Sequence, residues 1–563
     1  MQPRWILARD IALPGNGIPW PELCGSDCIA RLLQRREFSG ADEVRAFLNP
    51  RLSTLADPFL LPGMQDAVER IFHAIDQRQH IVLFGDYDVD GVTSLALLSE
   101  MLRAYGSEAA LFLPLRIEEG YGLSREGIAR CLRMHNPQLL IAVDCGTSSS
   151  LEIASLRKAG VDVLVLDHHE PKTELPECLL VNPKTTNSEF EYLCSVGLAF
   201  KLCHALLKTR RIDFDLKTAL DLVALGTVAD IVPLHGDNRV FVKSGSAVIG
   251  RSCRAGIIEL IEVAEVKAPI MPDDIGYRLG PRLNAAGRLA TAEKALRLLL
   301  TDNPIEAAEL ARDLDAHNRE RQEVEKQILR KAEEELAKNF DPCDAGIVLG
   351  ARGWHPGVLG IVASRISKKY YRPTIIIGFD ESGAGKGSGR SIEDCSIVRA
   401  LTECGDTLEK FGGHEMAAGV SLREENLPRF REQFLEAAAR QLSGDALAPR
   451  LHLDAEIGLA EINFDLLHWH EMLQPFGNGN PQPIFVCSAV ETARPPRIVG
   501  DRHLDLRLKK ENAIRRAVFF DSASVPLPPA PWDVAFRLHP NIYEGETRID
   551  LHVQALRSAA SFT

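Results

Sequence analysis

From about residue 78 to 235 the chain alternates short apolar runs with longer stretches whose apolar residues recur at helical spacing. Ile81-Val82-Leu83-Phe84, Leu139-Leu140-Ile141-Ala142-Val143, and Val161 to Leu166, broken only by Asp162, read as buried strands. Thr93 to Tyr105 and Ser124 to Met134 read as amphipathic helices. Alternation of this kind predicts βαβ units and a parallel sheet. Residues 1–50 read as a helical lead-in, and 236–303 as mostly helical. From Pro304 to about Lys338 a charged helix carries a thin apolar stripe at Leu310, Leu314, Val324, Ile328, Ala332 and Leu336, which suits a connector. A second α/β block follows, with strands at Gly346 to Leu349 and Thr374 to Phe379. After about Leu451 the texture turns to short alternating segments, such as His503 to Leu508 and Arg548 to Val553, with prolines between Pro526 and Pro531 separating two of them. That predicts a small all-β barrel or sandwich. The expected organisation is a lead-in (1–50), a parallel-sheet α/β domain (51–303), a long connector helix (304–340), a smaller α/β domain (341–445) and an all-β domain (446–563).

At 563 residues the chain is too long for one ordinary core, which agrees with several domains. No apolar run approaches the length that spans a bilayer, and Met1-Gln2-Pro3-Arg4-Trp5 lacks a signal-peptide pattern, so the expected location is cytoplasmic. Twelve cysteines without a Cys-x-x-Cys pair read as scattered reduced thiols, not as disulfides or a zinc site, and Cys145 reads as a packing residue. The net charge of −13 excludes a surface coated in basic residues but leaves room for a narrow basic groove that binds a polyanion.

The chemistry begins at the end of the first strand. Gly85-Asp86-Tyr87-Asp88-Val89-Asp90-Gly91 places three aspartates at alternate positions, which in an extended segment would converge on one side. Carboxylates that close repel unless a multivalent cation neutralises them. An EF-hand loop opens similarly but needs a Glu at its twelfth position, and counted from Asp86 that residue is Leu97. The other apolar runs end in Asp144-Cys145-Gly146 and Asp167-His168-His169, and a helical stretch, Asp221 to Val228, leads to Asp230. Acidic and imidazole groups at the carboxyl ends of successive strands are how open parallel sheets build sites. Carboxylates and imidazoles without a thiolate favour Mn²⁺ or Mg²⁺. So many candidate ligands point to a two-metal centre, and phosphate-ester hydrolysis is the reaction class such centres serve.

Asp167-His168-His169, with Asp86-x-Asp88-x-Asp90-Gly91 and Asp144 before it, resembles the DHH phosphoesterase superfamily. Within it, the chain is similar to the bacterial 5′→3′ exonucleases specific for single-stranded DNA. Four further stretches carry that likeness in order: Pro114 to Leu123, Gly280 to Arg288, Gly412 to Gly419 and Pro475-Phe476-Gly477-Asn478-Gly479-Asn480-Pro481. The resemblance covers roughly residues 50 to 555. It implies a DHH catalytic domain, a DHH-associated (DHHA1-like) second α/β domain and an OB-fold-like single-strand-binding β domain. It further implies that Asp88 and Asp144, with Asp86 assisting, hold one metal, and that Asp90, Asp144, His168 and Asp230 hold the other. His169 would touch the scissile phosphate, Asp167 would orient the histidines, and Arg288 would neutralise charge on the phosphoryl oxygens. Arg282 and Asn284 would contact substrate, as would Gly412, Gly413 and His414.

Gly383-Ala384-Gly385-Lys386-Gly387-Ser388-Gly389-Arg390 fails the P-loop pattern, because Gly follows Lys386 and the first glycine is missing. It reads either as a surface loop or as a grip in which Ser388 and Arg390 hold a terminal 5′-phosphate. In the family this grip and an arginine matching Arg116 stop the strand beyond one nucleotide. In the β domain Arg494, Arg497, Arg502, Arg507, Lys509, Lys510, Arg515 and Arg516 supply positive charge, and Phe519, Phe520, Trp532 and Tyr543 are the aromatic candidates for stacking on single strands. The implied partners are single-stranded DNA, single-strand-binding protein and a repair helicase, with the enzyme itself a monomer. The alternatives are a hydrolase of small phosphates or dinucleotides, which would need no extended groove, and an inactive scaffold, against which the complete ligand set argues.

Overall fold

In the computed structural model, residues 3–8, 18–36, 38–115, 118–120, 122–171, 174–289, 291–442, 444–543 and 545–559 are described. The chain divides into two compact units, one of residues 1–4, 282–294 and 309–451, the other of 5–281, 295–308 and 452–563.

In the larger unit a five-stranded parallel sheet runs in the order Ala110–Phe112, Ile81–Gly85, Leu139–Val143, Asp162–Leu166, Leu179–Val181. Numbered along the chain, that order is 2-1-3-4-5, a doubly wound arrangement whose direction of winding reverses between Ile81–Gly85 and Leu139–Val143. Every residue of those two strands is buried, which accounts for their continuous apolar sequence. The helix Val89–Ala104 follows the first strand, and Ser195–Thr209, Leu220–Ala229 and Gly236–Ile249 follow the sheet.

The β domain of this unit is a seven-stranded sheet that closes on itself where Phe485–Thr492 pairs with His503–Lys510. The expected helical lead-in is only partly helical. Arg4–Leu7 is a strand, and helices Trp20–Leu23, Asp27–Gln34 and Ala41–Leu48 follow. Ile18, Trp20, Leu23, Ile29, Leu33 and Leu48 share one core with Phe485, Phe536, Leu506 and Leu551 of the β domain. The lead-in therefore completes a distant core, and its periodicity carries no sign of which core.

The smaller unit has a mixed sheet in the order Lys410–Gly413, Ala417–Arg423, Ala384–Arg390, Thr374–Phe379, Ile347–Arg352, of which only the last pair is parallel. The 36-residue helix Pro304–Asn339 buries Ile328, Ala332 and Leu336 against Ile347 and Leu349. The glycine-rich stretch that invited a loop reading is the strand Ala384–Arg390, hydrogen-bonded on both sides. Small residues at alternate positions let its neighbours' side chains cover it. No helix among the described residues is long and apolar enough to cross a membrane.

Candidate metal centre

The three aspartates of Asp86 to Asp90 do converge, though not as an extended segment. The strand stops at Gly85, Asp88 caps the helix Val89–Ala104, and Asp90 lies in its first turn. The Asp88 carboxylate accepts the Asp90 and Gly91 amides at 3.0 and 3.1 Å, an N-cap that sets the helix start. The turn closes so tightly that a Cβ on Gly91 would lie 2.4 Å from the Asp86 carbonyl oxygen. Alternation along the sequence predicts the right convergence for the wrong backbone reason.

Asp144 follows the strand Leu139–Val143 at φ 63°, a left-handed conformation that Asp tolerates better than most residues, and it is 2% exposed. Asp86 and Asp144 thus stand at the point where the sheet order reverses, where α/β sheets place their ligands. Ligand atoms of Asp86, Asp88 and Asp144 lie within 4.8 Å of one another, as do those of Asp144, His168 and His169, and those of Asp90, Cys194 and Asp230. His168 joins these groups. Its Nε2 lies 3.4 Å from Asp144 Oδ1, 3.5 Å from Asp230 Oδ2 and 3.8 Å from Asp90 Oδ2. Nε2 is buried and makes no hydrogen bond, and neither does Asp230 Oδ2. A buried nitrogen and carboxylate oxygens that face one another without bonding fit a cation between them. Burial, reinforced by His169, lowers the His168 pKa to about 3, so the ring is neutral and able to ligate.

Asp167 does not face this cluster. Its Oδ1 accepts the His168 amide (2.8 Å), the His169 amide (3.2 Å) and His169 Nδ1 (2.8 Å), and its Oδ2 accepts the Thr147 amide (3.0 Å). Burial pushes this carboxyl up, but the His169 hydrogen bond and charge outweigh it and hold Asp167 well below the usual carboxylate range. The reciprocal effect on His169 is a raised pKa, against the cost of burial.

Several residues here left no signal in the sequence. The amides of Ser195 and Val196, at the start of the buried helix Ser195–Thr209, donate to the two oxygens of Asp90 at 2.7 and 2.8 Å. Ser195 Oγ donates to Asp144 Oδ1 at 2.9 Å. Asn182 Nδ2 ties Thr147 Oγ1 (2.8 Å) to the His169 carbonyl (2.9 Å). Cys194 brings a thiol beside Asp90 and Asp230, where none was expected. Burial raises its pKa well above the ordinary value, with the Asp90 and Asp230 charges adding to the shift.

The remaining expected residues fall elsewhere. Arg116 lies outside the described residues, as does the side chain of Arg288 in the helix Gly280–Leu289. In the smaller unit Arg282 Nε is paired with Asp315 Oδ1 at 2.9 Å, and Asn284 is half-buried. Arg390 Nη1 donates to Ser388 Oγ at 3.1 Å, while Gly412, Gly413 and His414 are exposed at the end of a hairpin. The expected basic face of the β domain is largely taken up by internal partners. Asp505 pairs with Arg494, Arg507 and Arg516, Asp521 pairs with Arg502, and Arg515 and Lys510 donate to the Ile462 and Ser488 carbonyls. Arg497 and Lys509 are exposed. Of the aromatics Trp532 is buried, Phe519 is half-buried, Phe520 is exposed, and the side chain of Tyr543 lies outside the described residues.

Burial first, and repulsion by neighbouring carboxylates second, raise Asp90 to about 7 and Asp230 to about 9, with Asp144 also well above its ordinary value. In the unfolded chain these groups ionise near 4. Their raised pKa values stabilise the metal-free fold only at low pH, and that contribution is lost as pH climbs through 7 and 9. A bound divalent cation reverses the penalty, so Mn²⁺ is expected to raise the melting temperature more at pH 8 than at pH 5.5. Calorimetric scans with Mn²⁺ and with chelator check this, and a shift independent of pH contradicts it.

Three family models match the chain: the DHH family N-terminal domain over residues 80–227, the DHHA1 domain over 344–440 and the RecJ OB domain over 453–555. The single-stranded-DNA-specific exonuclease RecJ of Dickeya dadantii (strain 3937) is 34% identical over 94% of this chain and 96% of its own. RecJ of Bacillus subtilis (strain 168) is 36% identical over 88% of this chain, and the match spans 63% of that longer protein. The crystal structure of RecJ in complex with Mn²⁺ from Thermus thermophilus superposes with a TM-score of 0.85 at 32% identity, covering 99% of this chain and 80% of that one. A parallel sheet that gathers acids and an imidazole at its reversal point, the three matched domains and likeness along nearly the whole chain lead to one conclusion: the chain belongs to the RecJ family of single-stranded-DNA-specific exonucleases.

Proposed function

We propose that this protein removes mononucleotides from the 5′ end of single-stranded DNA in a Mn²⁺- or Mg²⁺-dependent reaction, in recombination and repair. The observation that carries this reading is His168 Nε2, buried and unbonded, facing Asp90, Asp144 and Asp230 at 3.4–3.8 Å. Asp86, Asp88 and Asp144 would hold one ion, and Asp90, Asp144, His168 and Asp230 the other, with Asp144 shared. Two such ions, when bound, activate water and neutralise charge on the phosphoryl group. The protein's own groups do the rest. The Ser195 and Val196 amides fix the Asp90 carboxylate, and the Ser195 hydroxyl fixes Asp144. Asp167 holds His169 Nδ1 and, against the cost of burial, raises the pKa of this half-exposed ring, so that the imidazole would be oriented to donate to a phosphate oxygen.

The smaller unit supplies support for the 5′ end. Arg390 Nη2 and Ser388 Oγ lie 2.9 and 3.0 Å from where a Cβ on Gly360 would stand, over the first turn of the helix Leu359–Tyr370. A guanidinium, a hydroxyl and helix-terminal amides suit a terminal phosphate. Arg390→Ala is expected to lower the preference for 5′-phosphorylated over 5′-hydroxyl strands by about tenfold or more, the size of a lost charge-assisted hydrogen bond. Comparison of kcat/KM on the two strands measures it, and an unchanged ratio removes the grip from the account. In the β domain, rings of His503, Phe520, His552 and His539 follow one another with centroids 5.2, 5.0 and 4.2 Å apart and offer a stacking surface for bases. The resemblance adds a cytoplasmic, monomeric enzyme working with single-strand-binding protein and a repair helicase.

A further inference from the structure

The turn Pro475-Phe476-Gly477-Asn478-Gly479-Asn480-Pro481 has no part in the chemistry above, yet it is fastened to the segment that delivers Asp230. The helix Leu220–Ala229 ends at Asp230, and the next residue, Ile231, has φ 61° and is 70% exposed. Helices commonly end on a left-handed residue, but Gly or Asn fills the position, because a β-branched side chain is strained there. Burial does not hold Ile231 in this conformation, so its backbone contacts must.

The Ile231 amide donates to the Val228 carbonyl of its own helix at 3.2 Å; the contacts on the carbonyl side come from Asn478. Its side-chain Nδ2 donates to the Ile231 carbonyl at 2.6 Å, and its own carbonyl accepts the Leu234 amide at 2.8 Å. The turn that presents Asn478 is tied by its own hydrogen bonds. Gly477 and Asn480 exchange backbone hydrogen bonds of 2.9 and 3.1 Å, and the buried Asn480 Nδ2 donates to the Leu473 and Pro475 carbonyls at 2.8 and 2.7 Å. It is also closely fitted, since a Cβ on Gly477 would stand 2.6 Å from Leu234 Cδ1. On the far side of the loop, Asn238 Nδ2 holds the Pro233 carbonyl at 3.0 Å. Residues 231–234 are therefore clamped between Asn238 and the 477–480 turn.

We propose that Asn478 is a positioning residue for the metal centre: it keeps Ile231 left-handed and so aims Asp230 at His168 and its neighbours. This rests on the reading of Asp230 as a metal ligand. The clamp joins the leading segment of the β domain to the reacting centre, so the metal site is complete only when that segment is docked. A displacement of about 1 Å at such a site can cost on the order of a hundredfold in rate.

The test measures Mn²⁺ binding calorimetrically on the full chain, together with kcat and KM on single-stranded DNA. Asn478→Ala is expected to weaken one of two Mn²⁺ sites and to lower kcat, each by about tenfold or more, with KM little changed. Adding Ile231→Gly is expected to recover a large part of both losses, because Gly takes positive φ without support. A merely structural role for Asn478 would not give that recovery. Wild-type metal binding and kcat in Asn478→Ala, or no recovery in the double variant, overturns the proposal. Asp230→Asn separates the two levels of the argument. If it loses a Mn²⁺ site while Asn478→Ala does not, the positioning role alone is wrong. If it keeps both sites, the assignment of Asp230 as a ligand falls, and the positioning role falls with it.

Discussion

Asp144→Asn is expected to cut hydrolysis of single-stranded DNA by about a thousandfold or more, since a carboxylate that would be shared by two ions would contribute several kcal/mol to the transition state. The same substitution is expected to make the metal-free protein melt higher than wild type. Asp144 is buried, repelled by Asp88, Asp90, Asp86 and Asp230, and held left-handed at φ 63°. Asn has the same shape, tolerates that backbone, still accepts from Ser195 Oγ and carries no charge to repel. Loss of function with a gain in stability is the signature of a site held against its own electrostatics. Single-strand binding, followed by fluorescence anisotropy, should change little. Normal digestion by the variant removes the shared-ligand assignment, and a lower melting temperature in chelator removes the electrostatic argument.

The largest expected effect on stability lies at Arg239, in the helix Gly236–Ile249. This side chain is 2% exposed, and no carboxylate among the described residues pairs with it. Instead its guanidinium donates to the Phe47, Met472, Leu473, Gln474 and Pro475 carbonyls at 2.7–3.4 Å and stacks 3.7 Å from the Phe47 ring centroid. Burial, and to a lesser degree Arg36, lower its pKa to about 9. One arginine thus ties the parallel-sheet domain to the lead-in helices and to the segment that introduces the β domain. Arg239→Ala leaves several buried carbonyls unmatched and a cavity, and is expected to cost about 3–5 kcal/mol in chemical denaturation. A loss below about 1 kcal/mol contradicts this view of the residue.

How much of this is legible in the sequence follows from where each signal sits. The parallel sheet is readable because strands covered on both faces must be continuously apolar, and Ile81–Gly85, Leu139–Val143 and Asp162–Leu166 announce themselves in that way. The acids at their ends are readable because charge directly after such a run has to be explained. The conformation of Asp86 to Asp90 is not, because alternation suits a strand, while the N-cap of Asp88 and the close approach at Gly91 are seen only in three dimensions. The strand Ala384–Arg390 looks like a loop because its glycines reflect the side chains that cover it, such as Phe379, Ile377, Val420 and Ile397, which lie elsewhere in the sequence. The amides of Ser195 and Val196 leave no trace because they act on Asp90, about a hundred residues earlier, and any residue type supplies an amide. Arg239 escapes notice, and the partner of Asn478 is unseen although its turn stands out in the sequence, for a related reason: both bind carbonyls, and a carbonyl has no letter in the sequence.

The central claim is a metal-dependent attack that begins at the 5′ end of a single strand. It is tested most directly by following a 5′-labelled single-stranded DNA through a time course in Mn²⁺, with a chelator control. The account predicts that labelled mononucleotide is the first product, formed in Mn²⁺ and absent in chelator. Labelled fragments that shorten gradually from the far end, or equal digestion in chelator, would contradict it.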